Sequence, residues 1–175
     1  LDQVKACVKQ IARTWGPIDV LVNNAGWDKI EPFLQSQPET WDKVIGINLR
    51  GPINFCHTVA AQMAKREQGK IISISSDAGR VGSTGEAVYS ACKAGIIGFS
   101  KTLARERARF RITVNVVCPG PTDTALLQQV TSGEKGARII EAMTRAVPFR
   151  RLGQPGEIAN AVAFFASPDA DFVTG

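Results

Sequence analysis

Tyrosine occurs once in these 175 residues, histidine once and methionine twice. The single histidine, His57, falls inside a helical stretch and reads as structural rather than catalytic. Tyr89 is therefore the only phenol available for chemistry. Four cysteines, Cys7, Cys56, Cys92 and Cys118, lie far apart with no Cys-x-x-Cys, which excludes a disulfide frame and a zinc site. They read as reduced thiols of an intracellular, cytoplasmic protein, and no metal is expected. No apolar run reaches the length that crosses a bilayer, and no signal-peptide pattern is present in these residues. No basic stripe with interleaved aromatics appears, so the formal charge of +5 reads as solvated helix faces, not as a nucleic-acid surface. Repeats and low-complexity segments are also missing.

What is present is the composition of a soluble globular protein, 44% hydrophobic and 21% charged, with the length of one domain. Apolar residues Val4, Val8, Ile11, Ala12 and Trp15 recur at helical spacing over residues 2–15, and Gly16-Pro17 stops that helix. The short apolar run 18–22 predicts a buried parallel strand, and 70–76 and 112–117 predict two more. Between them, Ser36-Gln37-Pro38-Glu39 predicts a helix start capped by Ser36, and residues 53–63 a long apolar helix. Residues 87–109 predict another, with Val88, Cys92, Ile96, Phe99 and Leu103 as its apolar stripe. The polar stretch 122–148 predicts two weak helices, 125–130 and 137–146, and a loop of this length reads as a lid or binding loop. A last helix is predicted over 155–166. Strand–helix alternation throughout predicts an α/β fold, a parallel sheet with helices on both faces.

The stretch 76–93, SDAGRVGSTGEAVYSACK, organises the chemistry. Tyr89 and Lys93 stand four residues apart, and on a helix that spacing puts both on one face. A phenol has a pKa of about 10 and is a poor proton donor or acceptor at neutral pH. A fixed ammonium beside it is expected to lower that value toward the working range. Ser76 ends an apolar strand run thirteen residues earlier and can meet the pair across a Gly-rich loop. Taken alone, Tyr-x-x-x-Lys also fits a surface i,i+4 pair on an ordinary amphipathic helix.

With Asn23-Asn24-Ala25-Gly26, Asn48 and Pro119-Gly120 at their spacing, the Ser76, Tyr89 and Lys93 pattern resembles the short-chain dehydrogenase/reductase family. The resemblance implies a Rossmann-like doubly wound sheet and a nicotinamide cofactor, NAD or NADP with a lean to NAD. It implies Tyr89 as acid/base, Ser76 as the group that fixes the carbonyl oxygen, and Lys93 as the residue that lowers the Tyr89 pKa and meets the ribose. Asn48 is implied to kink its helix and hold a relay water. Cofactor contacts are implied for Asn24, Ala25, Gly26, Tyr89, Lys93, Pro119, Gly120, Thr122 and Thr124. Family members assemble through the two long helices, so a homo-oligomer, tetramer or dimer, is expected, with no nucleic-acid or membrane partner. The family's TG-x-x-x-G-x-G phosphate turn is missing from these residues, as is the residue that selects NAD or NADP. The chain is accordingly expected to be a fragment lacking the N-terminal βαβ part and the last strand. Residues 24–33, 76–83 and 118–126 are similar to a subgroup acting on hydroxyacyl-CoA thioesters, and nearly as similar to the 3-oxoacyl-carrier-protein reductases. Arg80 reads equally as a contact for an anionic substrate arm or as an exposed loop residue. The alternative to an active enzyme is a catalytically silent oligomerisation subunit on the same fold, which would be expected to have lost Tyr89 or Lys93.

Overall fold

Three apolar runs bounded by turn residues form one sheet: β1 (Val20–Asn23), β2 (Gly69–Ile74) and β3 (Ile112–Val117), all parallel, in the order β1-β2-β3. They are seen in a computed structural model that describes residues 1–133 and 136–175. Asn23 pairs with Ser73, and Ser73 with Val116, so all three strands finish at the same edge. That edge carries the site. Two strand limits differ from expectation. Ile18 packs against the core but precedes the first ladder pair, Val20 with Lys70. Ser76 lies beyond β2, whose ladder ends at Ile74 paired with Val117. There the Ser75 N–H still donates to the Val117 carbonyl at 2.8 Å, but the chain then turns away.

The sheet is accompanied by helices α1 (Asp2–Trp15), α2 (Pro38–Ile45), α3 (Gly51–Arg66), α4 (Ala78–Val81), α5 (Ala87–Arg107), α6 (Ala125–Val130), α7 (Gly136–Ala146) and α8 (Pro155–Ala166). Val8 of α1, Cys56, Val59, Ala60 and Met63 of α3, and Ala104 of α5 bury against Ile71, Ile112 and Val114 on one face of the sheet. Each large side chain removed from water there contributes roughly 1.5–3 kcal/mol. Side chains alternate along a strand, so Val22, Ile72 and Ile74 face the other way, toward α8. Val22 and Ile74 share a cleft with Ile158, Ala159 and Val162 of that helix. Helices thus cover both faces, as the alternating pattern predicts. Residues 173–175 run beside β3, with Gly175 N–H donating to the Val114 carbonyl at 2.9 Å and Asn115 Nδ2 to the Val173 carbonyl at 2.8 Å.

The ends of α6 and α8 fall where the sequence predicts them, and α8 opens with a capping box between Gln154 and Glu157. The start of α2 does not. Its cap is Gln37, with Pro38 at the first turn, and no side chain caps it. Ser36 is instead engaged behind it: its hydroxyl donates to the Phe33 carbonyl and accepts from Trp41 Nε1, both at 2.7 Å. Helix α4 was not predicted at all. His57 is exposed on α3. Among the described residues, no helix is long and apolar enough to cross a membrane.

Candidate active site

The two amides that end β1 divide their work. Asn23 Nδ2 donates to Ser73 Oγ at 3.2 Å and to Cys56 Sγ at 3.3 Å, tying β1 to β2 and to α3. Asn24, Ala25 and Gly26 instead line the cleft beyond the strand ends. The chain leaving Gly26 is clamped by Asn48. Its Nδ2 donates to the Trp27 carbonyl at 2.6 Å and to the Val44 carbonyl at 2.9 Å, and its Oδ1 accepts from Trp27 N–H at 3.3 Å. Asn48 is 1% exposed. It sits in a π-helical turn, Gly46–Arg50, between α2 and α3. Such a turn interrupts the regular ladder at the position where the resemblance implies a kink.

Ser76 opens the loop after β2, with its Oγ accepting from Ala78 N–H at 3.1 Å. That loop is fastened to both neighbours. Asp77 N–H donates to the Pro119 carbonyl at 2.9 Å, and Ser75 Oγ donates to the Lys93 carbonyl of α5 at 2.8 Å. Helix α4 then lies so close to α5 that a Cβ on Gly79 would stand 2.7 Å from Ala94 N and from Lys93 C. This contact sets Ser76 opposite Tyr89, close enough for the serine hydroxyl to lower the phenol's pKa. Lys93 is 4% exposed, and its Nζ donates to the Ile74 carbonyl at 2.9 Å while lying 5.4 Å from the centre of the Tyr89 ring. An ammonium has three donors, so two remain for a ligand. Gly26 leaves room beside it: a Cβ there would come within 3.2 Å of Asn48 Oδ1 and 3.8 Å of Lys93 Nζ.

The electrostatics correct one expectation. The Tyr89 phenol is pushed up to about 12, first by burial and then by the charges of Glu86 and Asp28, with only the Ser76 hydrogen bond lowering it. Lys93 does not offset this, because burial drives its own pKa down to about 8. At neutral pH a protonated, half-buried phenol therefore stands beside a lysine that is still mostly an ammonium.

Pro119, Gly120, Thr122 and Thr124, after β3, line the opposite wall. Both threonine hydroxyls are already in use: Thr122 Oγ1 donates to the Gly120 carbonyl at 2.9 Å, and Thr124 Oγ1 caps α6 by accepting from Leu127 N–H at 3.2 Å. Beyond them Leu127, Val130 and Met143, from α6 and α7, give the cleft an apolar side. Arg80 lies outside this lining; it is exposed on α4 and paired with Asp77 at 3.4 Å.

One residue of the site was not singled out from the sequence. Asp28 is 6% exposed and lines the cleft within the stretch after Gly26. Its carboxyl is pushed up to about 7 by burial and by the adjoining Glu86 carboxyl. Only the burial of a charged residue would have revealed it, and that is not written in the pattern. The linkage has a definite sign. The folded state holds the Asp28 proton up to about pH 7, the unfolded chain only up to its ordinary value of 3.8. Stability from this group is therefore full below pH 3.8 and is lost as pH rises toward 7. Asp28→Asn is expected to flatten that part of the curve of unfolding free energy against pH, measured by denaturant titration at several pH values.

A family model described as Enoyl-(Acyl carrier protein) reductase matches residues 1–175. The chain is similar to an acetoacetyl-CoA reductase of Shinella zoogloeoides, 45% identical over 178 residues, which cover 100% of this chain and 72% of the relative. It is also similar to a 3-oxoacyl-[acyl-carrier-protein] reductase of Vibrio cholerae, 38% identical over 174 residues, which cover 99% of this chain and 69% of the relative.

Proposed function

Because this chain belongs to the short-chain dehydrogenase/reductase family and is an NAD(P)-dependent oxidoreductase, we propose that its cleft interconverts a carbonyl and a secondary alcohol on an acyl-CoA thioester, with Tyr89 as acid/base. The observation that carries this is the convergence of Ser76, from the loop after β2, with Tyr89 and Lys93 of α5 on the edge where the strands end. In open parallel sheets ligands bind at that edge.

The nicotinamide, when bound, supplies or accepts the hydride. The residues present suit it: Gly26 keeps the floor free of a side chain, and the two spare Lys93 donors suit ribose hydroxyls. On the protein's side the carbonyl oxygen accepts hydrogen bonds from Ser76 Oγ and Tyr89 Oη. Tyr89 gives up its proton as negative charge grows on that oxygen, and Ser76 holds the oxygen in place. Proton transfer of this kind is worth roughly 10²–10⁴-fold. Burial keeps Tyr89 protonated at neutral pH, which suits it as the acid of a reduction. Asn48 holds the Trp27 backbone, and with it the floor on which the reacting groups stand.

Residues 122–148 serve in this reading as the substrate-covering part of a single domain, and the apolar Leu127, Val130 and Met143 suit an acyl chain. We take a CoA ester as substrate, as in 2-hydroxycyclohexanecarboxyl-CoA dehydrogenase, which the chain resembles. A carrier-protein ester is the alternative, since relatives are named for each. NAD is the cofactor we assign first, on the same resemblance. Assembly as a dimer or tetramer would use α5, on which Ala91 and Ala94 are exposed small residues. Four free thiols accord with a cytoplasmic setting.

The test follows nicotinamide absorbance with the intact protein. It is offered a 3-oxoacyl-CoA with NADH or NADPH, the same acyl group on carrier protein, and a cyclic 2-hydroxyacyl-CoA with NAD or NADP. Turnover of either CoA ester is expected. Activity confined to the carrier-protein ester would move the assignment to that substrate, and activity with none would refute the thioester reading.

A further inference from the structure

Asp28 and Glu86 both line the cleft and a smaller cavity beside it, and their carboxyls are near enough to interact where two parts of the site meet. Asp28 lies one residue after Trp27, whose backbone is held by Asn48. Glu86 is the cap residue of α5, three positions before Tyr89. The two loops are also joined directly, by Glu31 N–H donating to the Gly85 carbonyl at 3.0 Å. Two neighbouring carboxyl groups in a partly buried site favour holding a proton between them, since ionised carboxylates repel one another and only accept hydrogen bonds. Asp28 Oδ2 is buried and finds no donor among the described residues, so the missing partner is that proton or a water.

The smaller cavity lies behind this pair. It measures about 20 Å³, enough for a water molecule, and its walls include Glu31, Phe33, Trp41 and Val44. Asp28, Glu86 and Tyr89 line both this cavity and the cleft, and so form the partition between them. Glu31 Oε1 is a further buried acceptor without a donor in its wall. A small cavity bordered by unpartnered carboxylate oxygens is where an ordered water is stabilised.

We propose that the Asp28–Glu86 carboxyl pair carries the reaction's proton between Tyr89 and solvent through this second cavity, as a route separate from Lys93. The proposal rests on Tyr89 being the acid/base, as assigned above. In the direction of reduction, the Tyr89 O–H bond breaks as the alcohol O–H bond forms, leaving a phenolate. The proton shared by Asp28 and Glu86 passes to that phenolate, directly or over one water. The pair, now carrying two negative charges, takes up a proton from water in the outer cavity. No electrons move in these steps. Oxidation runs them backwards. In the direction of reduction the transfer from the carboxyl pair to the phenolate is downhill. The charged and titratable groups near Asp28 are Glu86, Tyr89, Cys92 and Lys93 from α5, and Lys29 and Glu31 from its own loop. Lys43 of α2 stands over the Trp27 ring next to it, 3.7 Å from the centroid.

The test uses the intact protein with Asp28→Asn and Glu86→Gln, which keep the size of each group and its ability to hydrogen-bond. Infrared difference spectra across neutral pH, without substrate, are expected to show a protonated carboxylic acid band that both substitutions remove. In steady-state reduction each variant is expected to be slowed by about 10²-fold. The first turnover should keep the wild-type rate, because Tyr89 starts protonated, and small weak acids in the buffer should restore part of the steady rate. A structural role would slow the first turnover equally and would not respond to added acid. An active wild type with no such band, or variants with unchanged steady turnover, would overturn the route alone. A wild type inactive on every thioester would overturn the functional reading and the route with it.

Discussion

Tyr89→Phe is expected to lower turnover by about 10²–10⁴-fold while leaving cofactor affinity nearly unchanged. The substitution removes one oxygen and no packing. The ring stays in its half-buried place on α5, and the Lys93 ammonium keeps its bond to the Ile74 carbonyl. What is lost is the hydroxyl near Ser76 that, in the proposed reaction, hands a proton to the carbonyl oxygen. No other phenol exists in the chain, and the one histidine is exposed on α3, so no side chain of either type can take over. Steady-state kinetics and fluorescence titration of the reduced cofactor separate the two quantities. Near-normal turnover would remove Tyr89 from the chemistry.

Gly79→Ala is expected to be almost as damaging, although Gly79 carries no reactive group. The added Cβ would stand 2.7 Å from Lys93 C and Ala94 N, which are helix backbone and cannot yield. Either α4 lifts away from α5 or the start of α5 moves, and both pull Ser76 from Tyr89. Gly79 N–H donates to the Ser76 carbonyl at 3.0 Å, so the displacement reaches Ser76 directly. Overpacking of this kind costs about 1–3 kcal/mol in stability. A misplacement of about 1 Å in a reacting constellation can cost 10²-fold in rate. Loss of kcat with a modest fall in Tm is therefore the expected result. Gly156→Ala, where a Cβ meets nothing within 4 Å, is the matched control and should change neither.

These two residues mark what could and could not be read from the chain. Tyr89 was legible because its chemistry needs a phenol and an ammonium at helical spacing, and because the motif's companions lie at fixed distances along the sequence. The strand β3 and helices α6 and α8 were legible because apolar periodicity and turn residues bound them on both sides. Gly79 was not. A glycine in a Gly-rich loop looks like a turn, and only the approach of α4 to α5 shows that its missing Cβ is what lets the site close. Ser36 misled because a serine three residues before a glutamate fits a capping box. The Trp41 indole and the Phe33 carbonyl compete for the same hydroxyl, and Pro38 sets the helix start one residue later. The Tyr89 pKa went astray for a related reason. Spacing alone shows that an ammonium is near, but burial acts on phenol and ammonium alike, and burial of a polar cluster depends on the loops that cover it. Asp28 escaped notice on the same ground.

The central claim is that this cleft moves a hydride onto a thioester-borne carbonyl with Tyr89 supplying the proton. The most direct measurement uses reduced nicotinamide deuterated at the transferring carbon, with a 3-oxoacyl-CoA and the intact protein, followed by mass spectrometry of the product. One deuterium on the new carbinol carbon, made by the wild type and nearly abolished by Tyr89→Phe, is the result predicted. A product without deuterium, or one labelled equally fast by Tyr89→Phe, would contradict it.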